Sequence, residues 1–328
     1  MFHHYWLKIP FIHGKYSRFI IYPLFALLLF PFLKSAAYEL GGVNGFRIDA
    51  PLVSKNEIYQ GGPARDGIPA LDNPVFLAAD DDNFLEPDDR VLGLSLNGVT
   101  RAYPIKILNH HELVNDMFNG KPVLISFCPL CGTGVAFDTM VRGQRLMFAV
   151  SGLLYNNDVL MYDRKTDSLW SQIQNRAVTG SFKGELLITI PLEHTRWVDW
   201  KQQHPKTQVL SSKTGYVRNY DASPYAGYDT HDTLYFPISV SDSRYRAKDR
   251  VIGISVKGHT KAYPFVELAK MTMPVHDHFA GLDLIIKYND DAKSATISDS
   301  NGKTIHTLTA FWFAWFAFHP NTEVLTAK

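Results

Sequence analysis

A stretch of the chain occurs twice: DRVLGLSLNGVTRAYP at 89–104 and DRVIGISVKGHTKAYP at 249–264. Self-similarity of this kind limits the chain to folds that use one supersecondary unit more than once. Leu92, Leu94 and Leu96 alternate with polar or small residues before Asn97-Gly98, and Ile252, Ile254 and Val256 do so before Lys257-Gly258. Period-two alternation ending in such a dipeptide predicts a β-hairpin. Pro104 and Pro264 then stand where a helix can start.

A second pair follows. Trp197, Trp200, His204 and Pro205 spell W-x-x-W-x-x-x-H-P, and Trp312, Trp315, His319 and Pro320 spell it again. Spacings of three and seven put both indoles and the imidazole on one helical face, with the proline marking the helix end. A helix docked by its Trp face, with a capping His, is expected in preference to an aromatic ligand platform. The two motif pairs predict an α+β fold, mainly antiparallel β, with two related lobes from an internal duplication sharing one core. The expected divisions are an N-terminal extension at 38–74, a first lobe at 75–213, a linker at 214–234 and a second, degenerate lobe at 235–328. The motif separation shrinks from one copy to the other, so the first lobe carries extra chain after its cysteines. There Asp158 to Tyr162 reads as a strand, and Ser168 to Gln172 as its return.

Hydrophobic residues make up 46% and charged residues 20%, as in globular chains. Net charge is +1, no basic block is present, and nucleic acid is not an expected partner. The basic residues Lys8, Lys15 and Arg18 precede an uncharged apolar run, Phe19 to Leu33, and then Ser35-Ala36-Ala37. This pattern predicts a signal peptide or membrane anchor at 1–37, and an exported, periplasmic or otherwise extracytoplasmic body. Disulfides can persist there.

The two cysteines, Cys128 and Cys131, lie in SFCPLCGTGVAFD, which reads as strand, tight loop, strand. Upstream, PIKILNHHELVNDMF reads as a helix with Ile107, His111, Val114 and Phe118 on one stripe. The histidine and both cysteines have no counterpart in the second copy, which suggests one local site. The order YPIKILNHHELVND, SFCPLCGTGVAFD, VSGLLYNNDVLMYDRKTDSLWSQ and W-x-x-W-x-x-x-H-P resembles the bacterial domain of unknown function 3179, over roughly 75–325. The resemblance implies no known reaction. By motif match it marks His111, Cys128, Cys131 and the Tyr155–Asp158 loop as candidate functional positions.

Two thiolates and an imidazole suit a soft metal ion, copper or zinc, with Asp138, Asp158 or water to complete the shell. The metal ligands expected are therefore Cys128, Cys131 and His111. A thiol–disulfide oxidoreductase is the alternative, although no helix N-terminus acidifies the loop. The other alternative is a non-enzymatic binding or scaffold domain with a static disulfide.

Overall fold

In the computed structural model, which describes residues 42–327, both repeated stretches fold into the same hairpin. Strand Arg90–Leu96 pairs with Val99–Pro104 from Val91↔Pro104 to Leu96↔Val99, and Arg250–Val256 pairs with His259–Pro264 from Val251↔Pro264 to Val256↔His259. Asn97, Gly98, Lys257 and Gly258 all have positive φ, the geometry that a two-residue turn needs to match the twist of its strands. Each hairpin gains an antiparallel neighbour, Glu193–Arg196 or Leu308–Phe311, and a parallel one, Gln208–Leu210 or Glu323–Val324.

The Trp helices, Trp197–Gln203 and Trp312–Phe318, connect those flanking strands. They dock through one close contact each. A Cβ added at Gly93 would overlap the Trp200 ring, and one at Gly253 would overlap the Trp315 ring. The indole N–H of Trp200 donates to Thr207 Oγ1 at 2.9 Å, and that of Trp315 to Thr322 Oγ1 at 3.0 Å. His204 and His319 follow the last helical residues and stack on the same indoles, with ring centroids 4.0 and 4.2 Å apart. Both Trp rings are buried, so they serve docking.

These local likenesses do not make two lobes, and the fold is not α+β. With 40% of residues in strands and 11% in helices, the protein is mostly β. Five small sheets of three to five strands stand in the arrangement of a five-bladed β-propeller, beside a two-stranded ribbon. Val43–Lys328 clusters as one compact unit. The physical reason lies in where each stretch finds its partners. No helix among the described residues exceeds seven residues, so sheets pack chiefly on sheets. The extra chain after the cysteines supplies four strands of a separate sheet, Phe148–Tyr155, Asp158–Asp163, Leu169–Ser171 and Arg176–Ala177 in that order, edged by Ile58–Gln60 from the N-terminal side. The buried apolar residues form four clusters instead of one shared core, and the largest joins that sheet to the helix Trp312–Phe318.

The expected helix through Phe118 is also shorter than its pattern. It spans Ile105–His111 and stops at Glu112, whose φ is +57°. Leu113–Phe118 is then a strand paired with Lys121–Cys128. The expected signal peptide or anchor at 1–37 lies outside the described residues. Among the described residues, no helix is long and apolar enough to cross a membrane.

A Gly253→Ala change forces a methyl into the Trp315 ring, an overpacking that should cost roughly 1–3 kcal/mol. Urea unfolding should show a lowered midpoint, whereas Gly258→Ala, whose added Cβ meets nothing within 4 Å, should lose only the strain of its positive φ. Equal midpoints for Gly253→Ala and the parent protein would refute the docking role.

Candidate metal centre

The apolar strand Lys121–Cys128 runs through the interior of a four-stranded sheet and ends on Cys128. Pro129, Leu130, Cys131 and Gly132 turn the chain, and Cys128↔Thr133 closes the pairing with Thr133–Asp138. Gly132 has φ +61°, and an added Cβ would stand 3.0 Å from the Phe311 ring, so glycine fits here on both counts. The Cys131 carbonyl accepts the Phe311 N–H at 2.9 Å and the Thr133 hydroxyl at 3.1 Å. The loop is therefore held from both sides, and it leads from strand to strand as its sequence predicts.

The neighbouring sheet supplies a third group. Its hairpin, Phe148–Tyr155 with Asp158–Asp163, turns through Asn156 and Asn157, which have φ of +53° and +62°. Asparagine tolerates this region better than other side chains with a Cβ. The two amides also fasten the turn to a distant segment: Asn157 Oδ1 accepts from Phe236 N at 3.1 Å, and Asn156 Oδ1 from Ser239 N at 2.7 Å. The turn thereby fixes Asp158 beside the cysteines. The sulfurs of Cys128 and Cys131 and a carboxylate oxygen of Asp158 all lie within 4.8 Å of one another. All three side chains are buried, and the sulfurs are unbridged.

The surroundings of this cluster are low in polarity. Cys128 S–H donates to the Asn157 carbonyl at 3.5 Å. Asp158 Oδ2 accepts the Ile173 N–H at 3.0 Å, while Oδ1 is inaccessible to solvent and has no hydrogen-bond partner. Burial pushes the Asp158 carboxyl up to about 8, against the pull of its backbone N–H donors and of the neighbouring Cys128 thiol. Burial, and then the neighbouring Cys128, push the Cys131 thiol well above its ordinary range. Both shifts favour the protonated forms when no cation is bound.

His111 is not brought to this cluster. Its Nδ1–H donates to the Pro69 carbonyl at 2.8 Å, and its Nε2 accepts from the Tyr220 hydroxyl at 2.7 Å. Both nitrogens are committed, and burial lowers its pKa. The stripe that pointed His111 inward assumed a helix continuing past residue 111, and the turn at Glu112 ends it. Asp138 is also elsewhere, paired with Lys121 at 3.1 Å. Of the positions considered from sequence, the structure joins Cys128, Cys131 and Asp158.

A cavity of about 440 Å³ opens beside Cys128. Its wall is mostly apolar, with Ile68, Leu153 and Phe236 among the lining residues, and its polar groups include the side chains of Glu112 and Tyr225. The Tyr225 hydroxyl donates to Glu112 Oε1 at 3.3 Å. Burial raises the Glu112 carboxyl from 4.5 to about 7. Sequence reasoning missed both groups. Glu112 is next to His111 in the same motif, but no periodicity singles it out. Tyr225 belongs to the 214–234 stretch read as a linker.

The family model described as Protein of unknown function (DUF3179) matches residues 65–322. No curated protein and no solved structure matches the chain.

Because the Glu112 carboxyl is raised from 4.5 to about 7, it favours the folded state fully below about pH 4.5 and loses that contribution as pH rises through 7. One such group is worth roughly 3 kcal/mol, since each tenfold change in proton affinity corresponds to about 1.4 kcal/mol. Asp158 acts in the same direction. Metal-free protein should therefore have a lower urea midpoint at pH 8 than at pH 5, and Glu112→Gln should reduce that difference. An unchanged pH dependence in Glu112→Gln would contradict the burial effect.

Proposed function

The chain belongs to this family of proteins of unknown function, and we propose that it is a metal-binding protein whose Cys128, Cys131 and Asp158 hold one zinc ion. The observation that carries the reading is the Asp158 Oδ1 atom, a buried acceptor without a donor, set within 4.8 Å of two unbridged thiols. Buried acceptors of this kind call for a partner, and a cation beside two sulfurs supplies one. The donor set favours zinc over copper. Cu(I) prefers soft sulfur ligands throughout, whereas zinc accepts thiolate and carboxylate together. The Ile173 N–H on Oδ2 orients the carboxylate, as outer-sphere hydrogen bonds commonly do for metal ligands.

Three protein ligands leave a fourth position, the pattern of zinc sites that act on a bound molecule instead of only bracing a fold. Cys128 and Glu112 line one cavity, so that position would face a small, largely apolar molecule with a carboxyl nearby. Thiol–disulfide exchange has weaker support. The cysteine loop begins no helix, and burial raises the Cys131 thiol instead of activating it.

Full-length protein loaded with zinc and desalted should retain one equivalent. Cys128→Ser and Cys131→Ser should abolish stoichiometric binding, and Asp158→Asn should weaken it by at least about 100-fold, the upper end of what even outer-sphere changes cost. His111→Ala should keep the metal. Full occupancy in Asp158→Asn, or a native disulfide that excludes zinc, would contradict the proposal.

A further inference from the structure

The cavity beside Cys128 has an electrostatic bias that its apolar wall does not require. Among the described residues that line it, none is a lysine, arginine or histidine, and its one carboxyl belongs to Glu112. That side chain is held in place from the backbone outward. The Glu112 N–H donates to the Leu108 carbonyl, and the Glu112 carbonyl accepts the Phe127 N–H, each at 2.7 Å. Its φ of +57° and ψ of −36° lie where residues with a Cβ are seldom found. The residue is only 7% exposed. Strain and burial both count against a glutamate at this position.

The two carboxyl oxygens of Glu112 are not equivalent. Oε1 accepts the Tyr225 hydroxyl at 3.3 Å. Oε2 makes no hydrogen bond among the described residues and, unlike Asp158 Oδ1, is not sealed from solvent. It is an open acceptor on the wall of a largely apolar space. Aromatic rings share that wall: Tyr225, Tyr235 and Phe236. The Asn157 side chain holds Phe236 at both its N–H and its carbonyl, so this part of the wall is fixed to the hairpin that carries Asp158. Ring faces carry partial negative charge and attract cations, as a carboxylate does.

An open carboxyl oxygen, aromatic faces and an apolar wall without a basic group match one kind of ligand. We infer that this cavity binds an organic amine with an apolar body, whose ammonium group donates to Glu112 Oε2 and lies against the aromatic rings. An anion finds no cation on the wall, and an uncharged ligand leaves a buried carboxylate uncompensated. The volume of about 440 Å³ is that of a small-molecule pocket. The inference goes beyond the zinc reading and rests on the cavity wall alone. Zinc held by Cys128, Cys131 and Asp158 would reinforce it, because two thiolates and a carboxylate outweigh the charge of the ion.

Three ligands that share one apolar body test the inference: octylamine, octanol and octanoate. Each is titrated calorimetrically into the full chain, metal-free and zinc-loaded, at about pH 8, above the raised Glu112 value and below that of an alkylammonium such as the lysine side chain. Saturable binding of octylamine is expected in both forms. Octanol should bind at least about tenfold more weakly, because a charge-assisted hydrogen bond is about twice as strong as a neutral one, and octanoate more weakly still. Glu112→Gln should bring the amine and the alcohol to similar affinities. In the parent protein, absence of saturable amine binding, or an alcohol bound as tightly as the amine, overturns the inference whether or not the variant folds. A folded Glu112→Gln that keeps the amine preference overturns it as well. An amine preference seen only with zinc means that the amine ligates the metal, which overturns the inference and leaves the zinc reading intact. Protein that holds no zinc yet prefers the amine does the reverse.

Discussion

Everything at the candidate centre depends on one constraint: the Asp158 carboxyl is fully buried and has a donor for only one of its oxygens. A carboxylate in that position must keep its proton or acquire a cation. The structure restricts the choice of cation by placing two thiols beside that carboxylate. Proton and metal ion would compete for the same lone pairs, so the charge state of the site and its occupancy are linked. Glu112, in the adjoining cavity, sits in comparably dry surroundings and its charge adds to the shift on Asp158.

The precision of that placement comes from turns and close contacts. The Asn156–Asn157 turn is locked by backbone donors from 236–239, and the Cys131 carbonyl is locked by Phe311. Phe311 in turn ends a strand that pairs with one of the repeated hairpins. The cysteine loop is thus tied to the repeated framework on one side and to the inserted sheet on the other. Long side chains are not needed to span the site, and backbone groups set its geometry.

Much of this local structure was legible from the residues. The hairpins follow from period-two alternation and turn-forming dipeptides, and the Trp helices from a three-and-seven spacing with a closing His-Pro. The strand–loop–strand reading of the cysteine segment and the strand at Asp158 were equally direct. The five-sheet arrangement was not legible, because alternation reveals which residues face a core but not which sheets meet. His111 misled for a definable reason: a helical stripe was extended through Glu112, where the backbone enters positive φ and the chain becomes a strand. Asp158 entered the sequence reading as a strand start, as the end of a candidate loop and as one of several groups that could complete a ligand set, and Tyr225 lay in a stretch whose composition suggested a linker.

X-ray absorption at the zinc edge of the loaded full-length protein tests the central claim most directly. The account predicts a first shell of two sulfur atoms at about 2.3 Å, with oxygen or nitrogen neighbours at about 2.0–2.2 Å. A first shell without sulfur, or with four sulfurs, would contradict it.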